Sequence, residues 1–263
     1  MTDYETWERR TPRQRLIRYV VTLLLVVAAV ASWRALNVRY NYLGSAPTEF
    51  MDLVNRMYPP AVGYSTEIVS PLIETVHIAV LGTALAVTLS IPVALLGATN
   101  TTPNKLGFAV GKFIISFTRS VNVIIWALVF VIIFGSGTLA GVLAVGVRSI
   151  GFCSKLIAEA IEEIDPGQVE AIKATGANSV ETAIYAIAPQ IKPAFIGVST
   201  YRWDINVRAS TIIGFVGAGG IGVELNTAIN FFQWQRVLTI LLAILGIVIF
   251  SEFVSAYLRR KVR

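Results

Sequence analysis

An all-α integral membrane protein with six transmembrane helices is the fold class this sequence predicts, on three observations. Hydrophobic residues make up 55% of the 263-residue chain against 14% charged, and the mean hydropathy is +0.67; a soluble domain carries about 25% charged residues. The apolar residues fall in long blocks, each close to the roughly 20 residues that cross a hydrocarbon core. The positive charge sits at the two ends: Arg9, Arg10, Arg13, Arg15 and Arg18 precede the first block, and Arg259, Arg260, Lys261 and Arg263 follow the last. Basic clusters that flank apolar spans fit the positive-inside rule and anionic headgroups. The net charge of +6 is therefore assigned to contact with membrane lipid and not to nucleic acid, for which no binding motif is present.

The first span, about 16–36, ends near Trp33 as an interfacial anchor. Arginines ahead of an apolar run that closes on Ala29-Val30-Ala31 also resemble a signal peptide with its cleavage site; the length of the run favours an uncleaved span. A polar segment with Pro47, Glu49, Asp52, Arg56, Pro59 and Pro60 follows, read as an external loop with a short interfacial helix. The second span, 68–97, is long enough to tilt or kink and carries Pro92 near its cytoplasmic end. Lys105 and Lys112 make the next turn cytoplasmic; the third span covers 113–134, and the Gly135-Ser136-Gly137 turn falls outside. The fourth span is 138–158, the fifth 191–213 and the sixth 236–258. An even number of spans places both charged termini in the cytoplasm of a multi-pass inner-membrane protein. Three segments result: 1–67, with the N-terminal tail, first span and external loop; the transmembrane domain 68–258; and a basic tail, 259–263.

The connection 159–190 lands in the cytoplasm and is unlike the other loops. Asp165 suits an N-cap and Pro166 the first helical position. Val169, Ile172, Lys173 and Ala174 give a short helix with a partly apolar face, Gly176 breaks it, and Asn178 or Ser179 caps a second helix running toward Pro189. Such a hairpin is too short for a domain and is built for docking. Its sequence, Glu170-Ala171-Ile172-Lys173-Ala174-Thr175-Gly176 with Pro189, resembles the cytoplasmic coupling motif of ABC importer permeases. That pattern begins Glu-Ala-Ala, has Gly six residues after the Glu and Pro thirteen after the Gly. Glu, the first Ala, Gly and Pro keep this register, whereas the second Ala is Ile172 and the later Ile and Leu positions hold Ala186 and Ala188.

The flanking stretches extend the resemblance. Residues Glu159 to Gln168, then Tyr201-Arg202-Trp203-Asp204-Ile205-Asn206-Val207-Arg208-Ala209-Ser210 running into Gly214 to Gly222, look like the permease of phosphonate-type ABC importers. Relatives of that kind carry phosphonates, phosphite or phosphate. The resemblance covers about 68–258 and implies a type I ABC importer permease fold that works by alternating access. It also implies the partners: a second copy of the permease, two cytoplasmic ATP-binding subunits and an external solute-binding protein. ATP and Mg would be bound by those ATPase subunits, for this chain has no G-x-x-x-x-G-K-[ST] loop; the nearest stretch, Gly107 to Lys112, has the wrong spacing and is followed by Phe113. No cofactor is expected on the chain itself, and no enzymatic chemistry.

Ionisable residues inside spans cost about 2.5–3.5 kcal/mol or more near the bilayer centre, so each demands a reason. Glu74 and His77 lie in the second span, Arg119 in the third, Arg148 in the fourth, and Arg202, Asp204 and Arg208 in the fifth. Four arginines against two acids leave a positive belt suited to a tetrahedral oxyanion, which guanidinium recognises through paired N–H donors. Arg148 and Arg202, near mid-depth, are expected to line the pathway with Asn122 and Asn206 as neutral hydrogen-bond partners. Arg119 either joins them or snorkels toward headgroups. Asp204 and Arg208, four apart, share a helix face and can neutralise each other. Glu74 and His77, three apart, can do the same, His77 more often packing than binding. Gly217, Gly219, Gly220 and Gly222 satisfy a dinucleotide pattern but lack its strand–turn–helix setting; they are expected to form a re-entrant turn or tight helix packing, and a gate. His77 is the only histidine and no cluster has metal-ligand spacing, so no metal site is expected. The alternatives carried beside this reading are a permease for another small solute such as an amino acid, and a channel or secondary transporter. The last two would not need the projection between Glu170 and Gly176.

Overall fold

The computed structural model describes residues 11–36 and 40–262. Arg9, Arg10 and Arg263, and the Lys261 side chain, lie outside what is described. The chain divides into two compact units, Met1–Asn55 and Arg56–Arg263. The first holds α1 (Pro12–Ala35), opened by Thr11 in a capping box with Gln14, and most of α2 (Asn41–Met57), which has Pro47 inside it.

The regular secondary structure among the second unit's described residues is all helical. It contains α3 (Val69–Gly97), α4 (Lys105–Ser120), α5 (Val123–Phe134), α6 (Thr138–Glu162), α7 (Pro166–Ala174), α8 (Ser179–Thr182), α9 (Ala188–Ile213), α10 (Ile221–Asn230) and α11 (Trp234–Val262), with a tight helical turn at Val62–Thr66 ahead of α3. Among the described residues four helices of the chain are long and apolar enough to span a bilayer, and six if each of two bent pairs counts as one span.

The central pair is α3 and α6, and small residues let them meet. In lipid there is no hydrophobic force between helices, so close backbone approach and hydrogen bonding drive association. Gly82 faces α6 so tightly that a Cβ would stand 2.8 Å from the Val145 side chain; at Gly146 it would stand 2.7 Å from Leu85. Ser90, Ser149 and Ser154 are buried at the same seam. At one end of this pair, Thr99 N–H donates to Glu162 Oε1 (2.8 Å) and the Asn100 amide to the Ile161 carbonyl (2.6 Å). α7 lies at that end.

Three expectations change. The third span is not one helix: α4 and α5 meet at 92°, because Val121 is extended (φ −92°, ψ 133°) and Asn122 caps α5, its side-chain oxygen accepting from Ile124 N–H at 3.0 Å. The second helix of the projection does not stop at Pro189. α8 runs through a single π turn (Ala183–Ile187) into α9, so the fifth span and the projection share one continuous helix. Pro189 lies just past the π turn, inside this continuous helix. A further helix, α10, fills the connection before the sixth span.

Candidate functional site

The face of α9 turned into the bundle is polar: Arg202 is 7% exposed, Asp204 5%, and Asn206 and Ser210 0%. A buried polar group in lipid requires a partner, and α6 and α3 supply them. Arg202 Nε donates to Ser149 Oγ on α6 (2.8 Å); that hydroxyl's one proton faces both the Val145 carbonyl (2.6 Å) and Asn206 Oδ1 (3.0 Å); Asn206 Nδ2 donates to Thr83 Oγ1 on α3 (2.8 Å); and Thr83 donates to the Ala79 carbonyl (2.6 Å). The relay has one direction, since guanidinium can only donate and a carbonyl can only accept. It pins Nε, while the Phe152 ring lies 5.2 Å from the guanidinium carbon. The two terminal amino groups of Arg202 have no protein partner among the described residues, yet they are not sealed from open space.

Two more arginines gather beside it. Arg148, half-buried on α6, is one residue before Ser149 and within electrostatic reach of both Arg202 and Arg119. Arg119, exposed in the last turn of α4, reaches α6 at Gly151, where a Cβ would meet its Cγ at 2.8 Å. Gly151 is three residues from Arg148, so the two guanidinium groups approach across one turn of α6. None of these arginines is paired with a carboxylate among the described residues. Taking a cation out of water costs several kcal/mol unless a counter-charge compensates. That cost falls chiefly on the buried Arg202, and the positive group as a whole is suited to an anion.

Nearby charges are already matched. Arg208 bonds to Asp204, whose other oxygen accepts from Ser251 Oγ at 2.8 Å, tying α9 to α11. The adjoining cavity, about 720 Å³, is lined by Asp204, Arg208, Glu252 and Arg259 and is balanced in charge. His77 is exposed on α3. Glu74 does not pair with it; its carboxylate accepts from Thr138 Oγ1 on α6 at 2.5 Å. Asn122 stands at the bend as the α5 cap and Asn206 within the relay. Ser149, Thr83 and Phe152, which hold Arg202, escaped the sequence reading. Their signal was present: hydroxyls inside otherwise apolar spans need a bond, and Ser149 directly follows an arginine.

At the end of the α3–α6 pair opposite α7, the glycine-rich turn is clamped. Gly217, Gly219 and Gly220 have φ of +83°, +82° and +74°, a region open to glycine. Gly137 N–H donates to the Gly217 carbonyl (2.9 Å), and Ile221 N–H to Thr75 Oγ1 (2.8 Å). A Cβ on Gly219 would stand 2.7 Å from the Glu74 carboxylate, and one on Gly222 2.1 Å from the Thr211 carbonyl. The setting is helix against helix.

α7 projects from the other end. Asp165 accepts from Gly167 N–H at 2.9 Å as its N-cap, and Gly176 (φ +88°) turns the chain after it. Asn178 opens α8 with a reciprocal cap to Glu181. Val169 and Ile164 pack against the buried cluster that includes Ile157, Ile161 and Ile187, which leaves Glu170, Ala171, Lys173 and Ala174 exposed, with Pro189 exposed nearby. A short rigid helix held at its base and bare on its outer side is suited to a protein contact.

Comparison with known proteins bears on both features. A family model described as "Binding-protein-dependent transport system inner membrane component" matches residues 86–263. The chain is 38% identical over 240 residues to the phosphite transport system permease protein PtxC of Stutzerimonas stutzeri, covering 91% of this chain and 87% of that protein. It is 41% identical over 208 residues to the phosphate-import permease protein PhnE of Mycolicibacterium smegmatis, covering 79% of this chain and 39% of that longer protein. Among solved structures, inward-facing conformations of the MetNI methionine ABC transporter match with a TM-score of 0.64 at 22% identity, over 74% of this chain and 96% of that one. At that identity the likeness establishes the fold, an all-α type I ABC importer permease.

Proposed function

The chain belongs to the family of inner-membrane components of binding-protein-dependent transport systems, and we propose that it carries a small phosphorus oxyanion (phosphonate, phosphite or phosphate) inward at the expense of ATP hydrolysed by partner subunits. The observation that carries the cargo class is the carboxylate-free group of Arg119, Arg148 and Arg202, with Arg202 aimed by a buried relay and its terminal amino groups unpartnered. A planar fork of donors matches a tetrahedral oxyanion, and its charge fills a site that is otherwise electrostatically unfavourable. The two related permeases named above act on phosphite and on phosphate by their names, which supports the same class here.

The drive is assigned to α7. Two copies of the chain assemble with two cytoplasmic ATP-binding subunits and receive cargo from an external solute-binding protein. Glu170, Ala171, Lys173, Ala174, Gly176 and Pro189 form the ATPase-coupling region, and ATP and Mg stay on the ATPases. The α7 end faces the cytoplasm with both termini, following the flanking arginines. Closure of the ATPases displaces α7 and switches the arginine group between outward and inward access. The clamped turn at Gly217, Gly219, Gly220 and Gly222 bounds the pathway on the external side. The channel and secondary-transporter readings leave α7 without a purpose.

The test is ATPase activity of the permease–ATPase complex in lipid, with binding protein and a panel of phosphonate, phosphite, phosphate and methionine. Stimulation confined to phosphorus oxyanions is expected. Stimulation by methionine alone refutes the cargo class, and a chain that assembles with no ATPase refutes the drive.

A further inference from the structure

One side chain joins the projecting helix to the span that carries Arg202. The backbone N–H of Asp165, the α7 cap, donates to Gln190 Oε1 at 2.9 Å, and Gln190 Nε2 donates to the Ala186 carbonyl at 2.9 Å. Ala186 lies within the π turn at Ala183–Ile187. The bond to Ala186 spans four residues within one helix, so it holds the Gln190 side chain against the π turn.

The residue type follows from the two partners. The bond that crosses from α7 is accepted by the side chain, and the one it donates to Ala186 lies within its own helix and steadies it. Glutamine does both. Glutamate keeps the acceptor and the shape, loses the donor, and places a second charge beside Asp165. Beyond Gln190, α9 continues as an unbroken helix for twelve residues to Arg202, about 18 Å at 1.5 Å per residue.

We propose that Gln190 is the positioning residue through which displacement of α7 is passed to α9, so that the π turn and α7 move as one body with the arginine group. The inference rests on the assignment of α7 as the ATPase-docking element and is independent of which solute is carried. α7 also packs through Val169 and Ile164, so loss of Gln190 leaves the helix attached but frees it to move without α9.

The test uses the assembled permease–ATPase complex in lipid, with single spin or fluorescent labels at Gln168→Cys on α7 and Ile212→Cys near the far end of α9. Both positions are exposed, while the native Cys153 is buried. ATP with a hydrolysis inhibitor is added without cargo. In the wild-type background both labels shift. In Gln190→Ala the α7 label shifts as before and the α9 shift is lost, while transport per ATP falls about tenfold, within the span of ordinary coupling energies; the nearly isosteric Gln190→Glu, which keeps the acceptor for Asp165 N–H, retains the α9 shift. A shift at Ile212 that survives in Gln190→Ala overturns the role of Gln190 alone. Losses that only track the amount of assembled complex overturn it too, since a purely structural bond would not alter transport per ATP. A wild-type chain with no shift at either label refutes the docking assignment and this proposal with it.

Discussion

Ser149→Ala tests whether orientation of Arg202, and not its charge alone, matters for transit. The substitution removes one oxygen from a fully buried site, so it opens little space. It deletes the acceptor of the Arg202 Nε bond (2.8 Å) and the one hydroxyl proton that the Val145 carbonyl (2.6 Å) and Asn206 Oδ1 (3.0 Å) share. A bond to a charged group is worth about 2 kcal/mol and a neutral one about 1 kcal/mol, which bounds the loss near about 3 kcal/mol. The Phe152 contact, about 1 kcal/mol, persists and holds part of the direction. Phosphite uptake into liposomes, at saturating loaded binding protein and normalised to assembled complex, is expected to fall between about tenfold and about a hundredfold. Arg202→Ala should abolish uptake, and adding Ser149→Ala to it should cost nothing further, because the two act as one unit. Wild-type uptake in Ser149→Ala with loss in Arg202→Ala would refute the orienting relay. Wild-type uptake in both would remove the arginine group from the pathway.

Other expectations separate parts of the chain. Gly220→Ala meets both a left-handed φ of +74° and Thr75 Oγ1 at 2.7 Å, whereas Gly176→Ala meets only φ +88° in open space. Gly176→Ala should therefore cost about 1–2 kcal/mol and Gly220→Ala clearly more in thermal unfolding of the detergent-solubilised chain; equal losses would contradict the clamped turn. Burial, and then the hydrogen bond to Glu224 Oε2 (2.8 Å), push the Tyr64 phenol up to about 12. Because the folded value lies above the ordinary 10, its contribution is complete below about pH 10 and is lost as pH rises through 12; Tyr64→Phe should flatten that alkaline loss in a pH series of melting temperatures. Asp204→Asn leaves Arg208 without its charge partner and should destabilise more than Asp204→Asn with Arg208→Gln, a non-additivity read in the same melts.

How much of this was legible follows the range of the interactions involved. Span number, the projecting helix and its caps depend on residues within a few positions of one another, and Asp165, Pro166, Gly176 and Asn178 act where local rules place them. The bend at Val121 was not legible in the same way. An Asn between two strongly apolar runs reads equally as a mid-span polar residue or as a helix cap, and tertiary packing decides. Glu74 shows the same limit: the nearest candidate along the helix was His77, but the partner came from Thr138, sixty-four residues on.

The arginines were visible as anomalies because charge in an apolar span is costly wherever it points. Which of them were compensated was invisible, since compensation is a contact. Asp204 and Arg208, four apart on one helix, could be paired from sequence; the emptiness around Arg202 could not, because it depends on α3, α4 and α6 bringing hydroxyls and arginines but no carboxylate. Gln190 is the extreme case. A glutamine after a proline at the mouth of a span has no pattern of its own, and its meaning arises only when the Ala186 carbonyl of a π turn accepts its amide and the α7 cap presents an N–H to its oxygen. The cargo site and its proposed linkage to the drive thus share one physical logic: each is a polar demand created by helical packing and met by a single side chain, so removing either chain should change transport before it changes the fold.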